Sequence, residues 1–337
     1  MAPAVRKTKN PERGGGLYDP RVGGEAIRIT PVQSDRKPFE PARTNYFSIY
    51  FVESGSGAFW ADASKFSFGP SSLLFFVPYQ HIRFAPSSPV KGALIQFHAN
   101  FLCVETFHAE VGCSGVLFND PYRAPIVTLE EPERSEAAHL IELLRREEQE
   151  RRLAYGEAML AHLKVLLILA TRLKSPDGEL GGKGGHVLPP LLDQLRGLIE
   201  ENYRTMHFPA EYAARLHVTP KTLGRIVREH LGTTPTELIR SRILIHAKWQ
   251  LLHTLRPVKE IARELGFRDE LYFSRLFRKA TGTSPTFFRE FETEIRGGSN
   301  LSMVSDNAPI PPSAAVAHHG GLAAKLPALT GKIRRAK

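Results

Sequence analysis

An internal repeat constrains this chain more than any other feature of its sequence. Residues 223–240 (LGRIVREHLGTTPTELIR) lie over residues 273–290 (FSRLFRKATGTSPTFFRE) at a constant offset of fifty. Arg225 matches Arg275, Arg228 matches Arg278, Gly232 matches Gly282, Thr233 matches Thr283 and Pro235 matches Pro285. Upstream, YAARLHV (212–218) lies over IARELGF (261–267) at an offset of forty-nine, so the second copy carries one extra residue in its turn. Each copy reads as a short helix, a turn and a longer helix. Thr219 supplies an N-cap hydroxyl and Pro220 suits the first helical position. Gly232 ends that helix. In the second copy Asp269 caps the longer helix and Gly282 ends it. This is helix-turn-helix organisation, used twice.

On a helical wheel at about 100° per residue, Leu223, Ile226 and Val227 point inward while Lys221, Arg225 and Arg228 share the opposite face. Phe273, Leu276 and Phe277 repeat the inward row. Leu271, Arg275 and Arg278 repeat the outer one, with Ser274 beside them. A cationic outer face on the second helix of such a motif suits the major groove. Arginine reads guanine bidentately, Lys and Arg hold phosphates, and an exposed leucine meets a thymine methyl. A lone cationic helix face is usually a solvated surface, but here the pattern occurs twice in register. Between the copies, Pro235 to about Leu255 fits one helix of roughly 30 Å. That is close to the ~34 Å of a duplex turn, so two reading helices suit successive major grooves.

Charge follows the same division. The 337 residues carry a net charge of +10. Residues 190–297 have 18 Lys/Arg against 13 Asp/Glu, whereas residues 31–189 have 16 against 18. A basic module beside a near-neutral one points to an anionic partner for the first and another task for the second. At about 150 residues per domain the length allows two domains. No apolar run approaches the ~18 residues of a membrane helix, and no secretory h-region follows the start; a soluble, cytoplasmic protein without a membrane partner is expected. Cys103 and Cys113 exclude a disulfide scaffold and a four-cysteine zinc site, and read as reduced, packed thiols.

The first half is different in texture. Short apolar and aromatic runs, Tyr46–Val52, Ala58–Trp60, Lys65–Phe68, Leu73–Val77 and Gly92–His98, alternate with Gly/Pro turns, which suggests a sandwich or barrel. From Glu133 the period becomes helical. One helix runs to about Arg152, and a second, Gly156–Leu173, carries Met159, Leu160, Leu163, Leu166, Leu167 and Ala170. That wide stripe fits either core or a dimer seam. The expected layout is a flexible arm over 1–40, a barrel domain with helices over 41–174 and a Gly/Pro linker over 175–189. The double-motif domain follows over 190–297 and a disordered tail over 298–337.

Residues 190–292 resemble the DNA-binding domain of AraC/XylS-type transcriptional regulators. The resemblance rests on Pro235, Arg242, Ala247 and Leu251 in the connecting helix. It continues through Val258, Ile261, Ala262, Gly266-Phe267, Phe273, Arg275, Phe277, Gly282, Pro285 and Phe288-Arg289. It implies base-facing positions at Lys221, Gly224 and Arg225, then Glu270, Leu271, Ser274 and Arg275, with Thr222, Arg228 and Arg278 completing the DNA-facing set. Gly224 departs from this pattern, since it offers a base no side chain, and weaker reading by the first motif is expected. The N-terminal half is similar to that family's cupin-like effector and dimerisation domain. The expected fold is thus α+β in two domains: a cupin-like β-barrel with helices, then an all-α double helix-turn-helix domain.

The resemblance implies a small-molecule effector in the barrel and dimerisation by this half, for which the apolar stripe within 133–173 is one candidate seam. Candidate pocket residues are Tyr46, Tyr50, Trp60, Gln96 and His98. Strand alternation sets Tyr46, Ser48 and Tyr50 on one face and Phe47, Ile49 and Phe51 on the other, without saying which faces inward. A cupin metalloenzyme would need paired histidines and a Glu, and the first strand pair has no His-x-His; His81 and His98 stand alone. A methyl-accepting repair protein would need a zinc-held cysteine cluster that two cysteines cannot supply. The expectation is a DNA-binding regulator with no catalytic residue, metal or cofactor. Activation would also need a contact with RNA polymerase, which no motif marks.

Overall fold

In a computed structural model, residues 16–102, 115–174 and 189–296 are described. The β-rich half comprises β1 (Ile27–Ser34), β2 (Phe47–Ser54), β3 (Gly57–Ala61), β4 (Ser64–Phe68), β5 (Ser72–Phe76), β6 (Ile82–Pro86), β7 (Val90–Phe97) and β8 (Ile126–Thr128). A five-stranded antiparallel sheet has the order β1-β7-β2-β5-β8, and a three-stranded one has the order β4-β3-β6. Among the described residues the two sheets share no ladder, so the expected barrel is not closed. The chain passes from one sheet to the other at the Gly55–Ser56, Gly69–Ser71 and Val77–His81 turns.

The centre of the five-stranded sheet is buried on both faces, as the unbroken burial of β5 shows, while the edge strand β1 keeps exposed residues. Tyr50, Val52, Leu74 and Phe76 face Phe59, Phe68 and Phe84 of the smaller sheet. Ile49, Phe51, Leu73, Phe75, Ile95 and Phe97 face the helices α1 (Glu133–Glu150) and α2 (Tyr155–Lys174). Both faces of β2 are therefore interior. The stripe on α2 is core: Met159, Leu163, Leu166, Leu167 and Ala170 are buried against the sheet and α1. Leu153, Tyr155 and Val165 stay exposed.

The stretch expected as an arm over 1–40 contains β1, which pairs with β7 over its whole length. Its alternation, Ile27-Arg-Ile29-Thr, is interrupted by Pro31, which a central strand would not tolerate but an edge strand does. Residues 1–15, Cys103, Cys113, the linker over 175–188 and the tail over 298–337 lie outside the described residues.

The helical half follows the repeat. It comprises α3 (Pro190–Asn202), α4 (Pro209–Arg215), α5 (Pro220–Leu231), α6 (Pro235–His253), α7 (Val258–Glu264), α8 (Glu270–Thr281) and α9 (Pro285–Ile295). Four residues separate α4 from α5 and five separate α7 from α8, which is the extra turn residue of the second copy. Both turns pass through the left-handed region, at His217 (φ 55°) and Gly266 (φ 81°). A Cβ at Gly266 would run into the Arg204 carbonyl, so glycine is required there, while His217 is exposed and has room for its side chain.

Candidate nucleic-acid interface

The reading helices are fixed by their apolar rows and their caps. Leu223 and Val227 of α5 and Phe273 and Phe277 of α8 are fully buried, with Ile226 and Leu276 half-buried beside them. The Thr219 hydroxyl accepts the Thr222 N–H at 3.1 Å, and the Asp269 carboxylate accepts the Leu271 N–H at 2.8 Å. Gly232 and Gly282 close the helices in the left-handed conformation. Burial of one row sets the rotation of each helix, and that rotation sets what the opposite face presents.

That face carries Lys221, Arg225 and Arg228 on α5, all exposed, with Thr222 and Gly224 half-exposed between them. On α8 it carries Leu271, Arg275 and Arg278, exposed, with Glu270 and Ser274 half-exposed. Leu271 is 71% exposed, a large apolar group left in water at the first turn of a helix, and Tyr272 beside it is 50% exposed. Arg225 pairs with Glu229 at 3.0 Å and Arg275 with Asp269 at 3.8 Å. Exposed pairs of this kind contribute about 0–1 kcal/mol, so a phosphate or a guanine edge can replace the carboxylate at little cost. A Cβ at Gly224 would meet nothing within 4 Å.

Helix α6 joins the two motifs and is braced by buried polar groups. Arg242, almost fully buried, donates from Nε to Glu200 Oε2 of α3 at 2.8 Å and stacks on Tyr203 at 4.2 Å. His246 is fully buried between the Tyr203 hydroxyl (2.8 Å) and the Gln250 amide (3.0 Å). Burial, reinforced by the charges of Arg204, Arg242 and Arg256, pushes its pKa down to about 3, so the imidazole is neutral. With its 19 residues, α6 spans about 28 Å at 1.5 Å per residue.

The five pocket candidates are not gathered at one place. Tyr50 lies in the sandwich interior against Phe76 and Phe84. A void there, lined by Val32, Phe39, Tyr50, Phe51, Phe68, Phe84 and Val90, holds about 10 Å³, room for one water at most. Trp60 lies beneath Arg83 (4.0 Å) and Lys65 (5.2 Å), both exposed. Gln96 bonds Ser48 and Arg28. Tyr46 and His98 cluster with Tyr18. His81 pairs with Glu40, and among the described residues no group of three His, Cys, Asp or Glu is placed to hold a metal.

Sequence reasoning missed a buried node where the two halves meet. Glu292 of α9 accepts from the Tyr79 hydroxyl, from Asn45 at 3.2 Å and from His98 at 3.3 Å, with Arg296 at 3.4 Å. Burial alone would raise the Glu292 pKa. The His98 hydrogen bond, the Arg296 charge and the Tyr79 hydroxyl outweigh it, and the net shift is downward. Burial and the same carboxylate push the Tyr79 hydroxyl well up. A second node links Tyr122 to Glu200 at 2.7 Å. Glu292 sits in a Glu-Thr-Glu run that reads as a solvated helix face, so no signal in the sequence marks it.

Residues 212–290 match the helix-turn-helix domain family. The arabinose operon regulatory protein of Salmonella typhimurium is 33% identical over 105 residues, 30% of this chain and 37% of that protein. The transcriptional activator RhaR of Cronobacter sakazakii is 27% identical over 128 residues, 38% of this chain and 44% of that protein. Among solved structures, ToxT from Vibrio cholerae is similar over 79% of this chain and 98% of its own, with 12% identity and a TM-score of 0.33. The chain spans less than half the length of the curated relatives it matches, and no helix among the described residues is long and apolar enough to cross a membrane. Those relatives are regulators rather than enzymes. With its duplicated motif, its connecting helix and this matched sequence, the C-terminal part of the chain carries a helix-turn-helix domain similar to those of AraC/XylS-type transcriptional regulators.

Proposed function

We propose that this chain is a sequence-specific regulator that reads two adjacent major-groove segments of double-stranded DNA, one with α5 and one with α8. One observation carries the reading: the repeat presents a cationic face twice, on capped helices whose opposite row is buried, joined by one continuous helix. Arg275, Leu271 and Ser274 read bases in the second segment. Lys221 and Arg225 read the first, where Gly224 leaves one position silent. Arg228 and Arg278 hold phosphates.

Control by a small-molecule effector is the finer element of this reading. The aromatic rings around Tyr50 now fill the sandwich interior, so an effector there has to displace them. The homodimer through 133–173 and a contact with RNA polymerase complete the proposed partners, with Leu153, Tyr155 and Val165 as the apolar side chains that face outward.

The test is an unbiased selection of duplexes from a random library by the purified full-length chain. The reading expects an enriched sequence with two information-rich segments about one helical turn apart. Salt-sensitive binding to every duplex, without enrichment, would overturn it.

A further inference from the structure

We propose that the N-terminal half is a brace that sets the spacing of the two reading helices, with Ser64 and Arg43 as its positioning residues. This rests on the two-segment reading above and deepens it. The repeat provides a pair of equivalent turns in the helical half, Gly232-Thr233 after α5 and Gly282-Thr283 after α8. Each turn closes a reading helix at the end opposite its capped first turn.

The N-terminal half grips both ends. The Ser64 hydroxyl donates to Thr233 Oγ1 at 2.7 Å, and the Lys65 N–H donates to the Gly232 carbonyl at 3.0 Å. A Cβ at Gly232 would fall inside contact distance of the Lys65 carbonyl, so the β3–β4 hairpin sits directly on the turn. At the other motif, Arg43 Nη2 donates to the Lys279 carbonyl in the last turn of α8 at 3.3 Å. Its guanidinium also lies 3.1 Å from where a Gly282 Cβ would be.

The grip is rigid because the body behind it is anchored to the rest of the helical half. Tyr79 and Tyr122 enter the helical core and bond Glu292 of α9 and Glu200 of α3. Lys248 of α6, half-buried, donates to the Pro78 carbonyl at 3.0 Å. Two helices otherwise joined through α6 are thus held at their far ends by one sandwich. A change in the sandwich is then felt as a change in the distance between the reading faces, which alters site preference and not only affinity.

The experiment uses the full-length chain and three duplexes: the one enriched by the wild-type chain, and derivatives with one base pair inserted or removed between its two segments. Wild type is expected to bind the derivatives at least tenfold more weakly. The Arg43→Ala/Ser64→Ala variant is expected to keep its affinity for the enriched duplex within about threefold. Its penalty for the altered spacing falls by about threefold to tenfold, the range that losing hydrogen bonds of this kind predicts. An unchanged penalty would overturn the brace while leaving two-segment reading intact. A wild-type chain indifferent to spacing would overturn the two-segment reading itself. If the double variant fails to fold, Ser64→Ala alone is read on the same duplexes, with the same criteria.

Discussion

Replacing Arg275 by alanine separates reading from folding. The side chain is 75% exposed and its ion partner, Asp269, lies 3.8 Å away and is itself 57% exposed. Such a pair contributes at most about 1 kcal/mol to stability. A bidentate arginine on a guanine is worth roughly 1–3 kcal/mol of discrimination, which is about 5- to 150-fold in affinity. The loss is therefore expected on the enriched duplex and not on a shuffled duplex of equal length and composition. The assay is fluorescence anisotropy at one fixed salt concentration, with a urea melt of the same preparations. A repeat of the selection with the variant should show relaxed preference at a single base pair. Equal losses on both duplexes would show that Arg275 is an electrostatic contact only. A fall in stability of more than about 1 kcal/mol would show that its surface placement is wrong.

Three other outcomes follow from the same geometry. Arg228→Ala should weaken binding to enriched and shuffled duplexes alike and lower the slope of log K against log salt by about one, which a salt titration measures. Gly224→Ala should raise stability in urea by about 1 kcal/mol, because a mid-helix glycine is replaced where a Cβ meets nothing within 4 Å. His246 has a folded pKa pushed down to about 3 from 6.5, so its stabilisation is complete above pH 6.5 and is lost as pH falls below that. The slope is up to about 1.4 kcal/mol per pH unit, and urea melts at pH 7.5 and 5.5 should show it in wild type and show it flattened in His246→Gln.

The helical half was legible because local rules and tertiary packing agree there. Thr219 and Asp269 cap as expected, Gly232 and Gly282 end their helices, and the buried and exposed rows fall where a 3.6-residue period puts them. The strands of the first half were legible by texture. Their faces were not, because a sheet buried on both sides erases the alternation that separates inside from outside. Pro31 hid β1, and edge position explains why it is tolerated. Closure of the barrel was expected and is absent among the described residues, where the strands sort into two sheets with no ladder between them.

Least legible was the junction between the two halves. A Gly-rich connection suggests loose tethering, whereas Tyr79, Tyr122 and Glu292 form buried contacts more than 70 residues apart in sequence. Each of these side chains is ordinary in its local context. Only the fold shows that Tyr79 belongs to the core of the helical half, against Phe288. For the same reason Arg242, which resembles the other arginines of the basic region, is a buried partner of Glu200 and not a DNA contact.

Methylation interference at guanine N7 on the enriched duplex tests the central claim most directly, because that atom lies in the major groove. Reading by α5 and α8 predicts two patches of interference on one face of the duplex, centred about 10 base pairs apart. A single patch, or interference spread evenly along the duplex, would contradict it.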